Sequence, residues 1–399
     1  MLSPRQLFLL NTAQTSPTPR LLEIERAEGM YMYSPEGKRY MDLVSGFAVS
    51  NTGHRHPKVV QAIKDQADKY LHLTVYGEYI QSPQVKFAEK LSSVLPESLS
   101  SVYFVNSGAE ATEGALKLAK RFTGRSEIIA CKNSYHGSTH GALSVMGNEY
   151  YKQSYRPLLP DIRFIEFNNP NHLNQISTGT AAVIMETIQG EAGVRVPDMD
   201  YMQRLRRRCN ETGTLLILDE IQTGFGRTGT LFGFENFNIT PDILLIAKGM
   251  GGGMPIGAFI SSKEIMGSLT ENPILGHITT FGGHPVSCAA GLANLNVILE
   301  EKLYDDVQSK ELLFRECLKH PAIKEIRGKG LMLSIQLSNF DQVENISRMC
   351  VDKGIIIDWF LHCETAMRIA PPLIITEDEI RFACSVILES LDNYIPSEA

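Results

Sequence analysis

No window of 18 consecutive apolar residues occurs in the 399-residue chain, which excludes an ordinary membrane-spanning helix. No Cys-x-x-Cys pair occurs either. The seven cysteines (Cys131, Cys209, Cys288, Cys317, Cys350, Cys363 and Cys384) are odd in number and scattered. Neither a disulfide framework nor a zinc or other metal site is expected, and a reducing cytoplasm is the fitting compartment. Near the start only residues 7–10 form an apolar run, too short for the core of a secretory signal. Internal repeats are absent. With 32 glycines and 19 prolines, about the background level, collagen-like and low-complexity classes are excluded. Charge is not one-sided: 38 basic residues meet 45 acidic ones for a net of −7, which argues against a nucleic-acid binder. The densest basic run, Arg204, Arg206, Arg207 and Arg208, reads as the solvated face of a helix that turns Met202, Leu205 and Cys209 inward.

What is present is an ordinary globular composition, 43% hydrophobic and 21% charged, in a chain long enough for two or three domains. Short runs rich in aliphatic residues recur at 102–105, 128–131, 162–167, 181–185, 215–218, 243–247 and 256–260. They are apolar throughout rather than alternating, as strands covered on both faces are. Helical stripes lie between them. Ser82-Pro83 reads as the start of one, Ala111 to Phe122 forms a second that stops at Gly124, and Asp198 opens a third that Gly213 closes. The alternation predicts an α/β fold with a mostly parallel seven-stranded sheet. After about residue 286 the pattern changes to long helical stretches at 286–302 and 304–319. Strand-like runs follow at 323–326, 331–337 and 355–359, with helices at 342–352 and 377–394. This predicts three segments: 1–45, pairing with the small domain; 46–285, a large domain; and 286–399, a smaller α+β domain.

Open α/β sheets bind ligands at the carboxyl ends of their strands. Three ends are unusual. The run 102–105 passes through Asn106-Ser107-Gly108-Ala109 straight into a helix, a turn that suits an anion because backbone N–H groups and the helix dipole point outward. The run 215–218 ends in Asp219, a carboxylate that needs a partner if buried. The run 243–247 ends in Lys248 before a glycine cluster, where desolvation favours a free, nucleophilic amine. Taken singly, these residues also read as a helix cap, a loop salt bridge and a lysine reaching solvent. Together they suit pyridoxal phosphate, with its phosphate, its ring nitrogen that must stay protonated and its aldehyde that condenses with lysine.

Further motifs run in order along almost the whole chain. They are Asn51-Thr52-Gly53-His54 with Pro57; Asn106 to Ala111; Tyr135-His136-Gly137; Glu186 with Gln189-Gly190-Glu191; Leu218 to Gly229; Ala247-Lys248-Gly249; Thr279 to Gly283; and Arg368 before Pro371-Pro372. In these the chain resembles the class-III pyridoxal-phosphate aminotransferases, the group of acetylornithine, ornithine and 4-aminobutyrate aminotransferases. The resemblance implies fold type I and an amino-group transfer from a primary amine to a keto acid, 2-oxoglutarate above all, by alternating half-reactions. It implies that Lys248 holds the cofactor aldehyde, that Asp219 pairs with the ring nitrogen, and that Ser107, Gly108 and Ala109 cup the phosphate. Tyr135 would stack on the ring and Gln222 reach its hydroxyl. His136 and Glu186 join the cofactor-binding set by the same resemblance. Thr280 would complete the phosphate site of a neighbouring subunit, so a homodimer is implied. Glu191 and Arg368 would form a switch in which arginine binds a substrate carboxylate and glutamate masks it when a plain amine enters.

One position departs from the pattern. Acetylornithine and ornithine aminotransferases carry arginine directly after the aromatic-x-Gly motif, to grip the far α-carboxylate of the donor; here the residue is Ser138. A serine hydroxyl contributes about 1 kcal/mol where a charged bond contributes ~1.5–3. Two other readings are an aminomutase or decarboxylase on the same scaffold, and a nicotinamide enzyme, since Gly224 to Gly229 spells G-x-G-x-x-G after a strand. That fingerprint must open a helix, and no helical period follows it.

Overall fold

The computed structural model describes residues 2–395. Met1 and residues 396–399, the outer ends of the first and last expected segments, lie outside the described residues. All seven expected aliphatic runs are strands of one sheet, ordered Ser101–Val105, Gly257–Ser261, Ile243–Ile246, Leu215–Asp219, Thr180–Glu186, Glu127–Cys131 and Ile162–Ile165. Gly257–Ser261 is antiparallel to both neighbours and the remaining pairings are parallel.

Every residue of Thr180–Glu186 and Leu215–Asp219 is buried, which requires cover on both faces. The strand period divides the side chains accordingly. Ile184, Ile217 and Leu245 pack against Ala111, Ala115 and Leu118 of the helix Gly108–Thr123. Met185, Leu218 and Leu244 face the opposite cluster, with Met202 and Leu205 of Met199–Thr212 and Leu295 of Pro285–Glu300. Gly124 (φ +68°) and Gly213 (φ +63°) end their helices in the left-handed conformation that glycine adopts without penalty. Two expected helix starts differ in detail. Ser82 is the first helical residue and Gln81 the cap, with Pro83 in the first turn. Asp198 caps by position only, because its carboxylate instead accepts from Asn168 Nδ2 at 3.1 Å.

A four-stranded antiparallel sheet follows in the order Glu325–Lys329, Met332–Gln336, Cys363–Ile369 and Asp358–Phe360. The N-terminal strands Arg26–Glu28, Tyr31–Tyr33 and Arg39–Asp42 form another sheet, which Ile355–Ile356 extends in parallel. Met30, Met41 and Leu43 thereby enter one core with Leu333, Ile346 and Ile380. The run 355–359 is therefore two strands, one in each sheet. The helix expected from 304 begins at Val307, and the run at 323–326 becomes the strand Glu325–Lys329. Cys363–Ile369 is a strand that no apolar run announces, since Glu364, Thr365 and Arg368 interrupt its pattern.

The basic run is only partly a solvated face. Arg206 reaches Asp242 at 2.8 Å, and Arg208 donates to Ile176 O at 2.7 and 2.9 Å. Arg204 and Arg207 are the exposed pair. The glycine fingerprint opens no helix: after Gly229 come turns and a short 3-10 segment, Gly233–Phe237. Its Arg227 is fully buried, donating to Asn51 Oδ1, Leu331 O and Pro371 O, which excludes the nicotinamide reading of this segment. Among the described residues, no helix is long and apolar enough to cross a membrane.

Candidate active site

Five strand ends converge on one cavity of about 470 Å³. Ser107, Gly108 and Ala109 follow Ser101–Val105; Tyr135 and His136 lie in the loop after Glu127–Cys131. Glu186 and Asp219 are the last residues of their strands, and Lys248 follows Ile243–Ile246. All eight line the cavity, with Gln222 and Ser138.

The cup is a helix start. Ser107 accepts from Glu110 N at 3.2 Å, leaving its own hydroxyl proton free to donate. The N–H groups of the next residues have no intrahelical acceptor, and the helix dipole adds partial positive charge. Gly137 (φ +125°) brings the Tyr135 loop down onto this cup, where a Cβ on it would stand 2.6 Å from that of Ala109.

The carboxylates are held from behind. Asp219 Oδ2 lies 2.7 Å from His136 Nδ1, and Oδ1 accepts from Ile221 N at 2.9 Å. Glu186 accepts from Tyr135 N at 3.0 Å and Gly190 N at 2.7 Å, so it pins the two loops that flank the cavity. Burial pushes the Glu186 carboxyl up to about 7, opposed by His136 and helped by Asp219. Lys248 sits in the left-handed region at φ +46°, a conformation that costs a non-glycine residue about 1–2 kcal/mol. Burial pushes its ammonium below the ordinary value, opposed by Glu191 and helped by Arg368. A strained backbone carrying a desolvated amine into a cavity is a marker of a functional site.

Behind the cavity stands a buried ion pair. Arg368 donates to Glu191 through two parallel bonds of 3.0 and 2.8 Å, with 3% of the arginine side chain exposed. Gln222 Nε2 donates to Glu191 Oε1 at 3.1 Å and Leu361 N to Oε2 at 3.0 Å. Burial alone would raise the Glu191 carboxyl, but Arg368, the Leu361 N–H and the charge of Lys248 hold it at about 2. Asp358 Oδ1 lies 3.2 Å from Arg368 Nε, and Phe47 and Phe360 cover the guanidinium at 5.0 and 4.5 Å.

The chain matches the family described as Aminotransferase class-III over residues 12–391. It is a class-III aminotransferase. The acetylornithine aminotransferase of Caldanaerobacter subterraneus subsp. tengcongensis is 38% identical over 399 residues, covering 97% of this chain and 98% of the relative. That of Methanosarcina mazei is 40% identical over 372 residues, covering 92% and 91%. The solved ornithine aminotransferase of Toxoplasma gondii superposes with a TM-score of 0.90 at 30% identity, covering 98% of this chain and 95% of that one. An amine transaminase of an uncultivated Pseudomonas species, solved in its PLP-bound form, has a TM-score of 0.88 at 28% identity, covering 96% and 97%. This aminotransferase has the type-I fold of pyridoxal-phosphate enzymes, and pyridoxal phosphate is its cofactor. The cavity fits that group, since it offers an anion cup, a desolvated lysine amine and a carboxylate with a fixed orientation.

Thr280 stands apart, exposed and outside the cavity of its own chain. Ser138 is exposed at the rim, its Oγ 3.3 Å from Tyr135 Oη. Phe47, Asp358, Phe360, Leu361 and His362 are residues of the site that the sequence does not reveal. No motif marks them, and only the adjacency of Asp358–Phe360 to Cys363–Ile369 brings the last four to the ion pair.

Proposed function

We propose that this aminotransferase takes the amino group of a primary-amine donor and delivers it to a keto acid, 2-oxoglutarate being the acceptor that Arg368 suits, in two alternating half-reactions. The observation that carries this is the meeting of a desolvated Lys248 amine, a carboxylate at Asp219 and a helix-start anion cup in one cavity.

Bound pyridoxal phosphate supplies an electron sink for the carbon that loses its proton. The chain does the rest. Ser107 and the N–H groups of Gly108 and Ala109 would hold the phosphate end. Asp219, oriented by His136, would hold a proton on the ring nitrogen. Tyr135 would cover one ring face and exclude water, while Gln222 would reach the ring hydroxyl. Lys248 Nζ moves the proton as acid and base, and burial keeps a larger share of it in the free-amine form. Glu191 neutralises Arg368 while a carboxylate-free amine reacts. When the keto acid enters, Glu191 withdraws and Arg368 grips the substrate carboxylate with its planar fork.

Three coarser readings accompany this. Residues 46–285 act as the large cofactor domain, and residues 1–45 pack with the small domain of 286–399. A second copy covers the exposed Ile274, Leu275, Ile278 and Phe281, bringing its Thr280 to this cup as a homodimer. Seven free thiols fit a cytoplasmic setting.

The test is a titration of the holoenzyme with ornithine, N-acetylornithine, lysine, 4-aminobutyrate and diamines, watching the visible band of the bound cofactor. A reactive donor bleaches the band, and 2-oxoglutarate restores it. Turnover with no change in the band, or turnover that survives Lys248→Ala, overturns the reading.

A further inference from the structure

Glu191 can serve as a gate only if it leaves Arg368, and the turn joining Asp358–Phe360 to Cys363–Ile369 bears directly on how easily it does so. Leu361 N donates to Glu191 Oε2 at 3.0 Å, and His362 N donates to the Glu191 backbone carbonyl at 3.0 Å. The turn thus binds the gate residue by side chain and main chain at once. It is itself tied down at two places. His362 Nδ1 lies 3.0 Å from Asn133 O, in the loop that leads to Tyr135. Tyr151 Oη donates to Leu361 O at 2.7 Å. The His362 ring fills the space between Tyr151, at 5.3 Å, and Tyr135, at 6.4 Å edge-on.

We propose that the Leu361–His362 turn is a latch that holds Glu191 on Arg368, with His362 as the positioning residue that anchors it. A ligand that needs Arg368 unmasked binds in proportion to the fraction of molecules with the gate open. Loosening the latch raises that fraction. Carboxylates that use Arg368 then bind more tightly, and amines that need it masked bind more weakly. This rests on the proposed roles of Glu191 and Arg368.

The test compares the half-reactions of holoenzyme with L-glutamate, which brings its carboxylate to Arg368, and with N-acetylornithine, whose reacting carbon carries none. His362→Ala is expected to lower the half-saturating L-glutamate concentration about threefold to tenfold, the worth of one neutral hydrogen bond. For N-acetylornithine the half-saturating concentration moves up, and His362→Asn, which keeps a side-chain donor, restores both. Tyr151→Phe removes the other tie and gives the same opposed shifts with less risk to folding. Half-saturation values that rise together, or stay still, in both variants overturn the latch, because a merely structural turn cannot improve binding. Arg368→Gln is the separate arm: if it leaves the L-glutamate value unchanged, the gate reading itself fails and the latch with it.

Discussion

The Asp219 carboxylate and the His136 imidazole face each other across 2.7 Å, both buried, so the acid proposed to meet the cofactor ring is oriented by a fixed side chain. Asp219→Asn keeps the shape and removes the charge. Its turnover number is expected to fall about 10²–10³-fold with the cofactor still bound. His136→Gln removes the partner only, for a loss of about tenfold to a hundredfold. Stopped-flow half-reactions measure both, and an Asp219→Asn variant as fast as the parent ends the assignment.

The role proposed for Lys248 predicts a pH dependence. Its ammonium lies below the ordinary 10.5, chiefly through burial, and only the free amine can attack the cofactor aldehyde. The free-amine fraction grows as pH rises through the lowered pKa. Loading of pyridoxal phosphate onto the apo chain, followed by its visible band, should therefore reach half its maximal rate below pH 10.5. Lys248→Ala holds the cofactor non-covalently, so borohydride reduction leaves no cofactor attached to the chain, whereas in the parent it fixes the cofactor to Lys248. A midpoint at the value of a free lysine would contradict a desolvated amine.

How much of this is legible in the sequence depends on the range of each interaction. The seven strands are legible because each is a continuous aliphatic run, and a strand buried on both faces must be one. The placement of Asp219 and Lys248 at one cavity is legible because a charge ending such a run is costly unless it finds a partner. Ser107 is legible as a cap. The strand Cys363–Ile369 is hidden, since its first residues are partly or fully exposed and Arg368 interrupts the rest of the pattern. Phe47 is hidden for another reason. It belongs to a turn in which Ser45, Gly46, Phe47 and Ala48 all have positive φ, a left-handed turn that no ordinary propensity signals. His362 carries no local signal at all. Asn133 lies 229 residues before it, Tyr135 and Tyr151 are similarly remote, and only the fold assembles them.

Gly257 tests the cup from the sheet side. A Cβ there would stand 2.5 Å from Ser107 O and 2.8 Å from Ser107 C, both backbone atoms that cannot swing away. Gly257→Ala must displace the residue that caps the helix Gly108–Thr123. The expected result is a loss of stability of about 1–3 kcal/mol, the usual range for overpacking, with weakened cofactor retention. Denaturant unfolding of the apo and holo forms separates the two effects, since the holo form loses more. An alanine variant with parental stability and parental cofactor affinity would show that the cup tolerates the shift.

Ser138 bears on the donor. It stands at the rim of a cavity whose lining, among the described residues, includes Lys248 but no arginine, and its Oγ lies 3.3 Å from Tyr135 Oη. A donor with a far carboxylate therefore meets a hydroxyl here, not a guanidinium. Placing arginine at this position adds a charged, bidentate partner at an exposed site with room for the longer side chain. Ser138→Arg is expected to raise kcat/KM for N-acetylornithine about threefold to thirtyfold, the difference between one neutral and one charged hydrogen bond. Donors without a far carboxylate, such as diamines, should gain nothing and are expected to lose, because the new cation repels a second ammonium. Parallel kcat/KM measurements on N-acetylornithine and a diamine decide the matter. If the parent enzyme already handles N-acetylornithine well and arginine adds nothing, the carboxylate is gripped by another residue and Ser138 is a bystander at the rim.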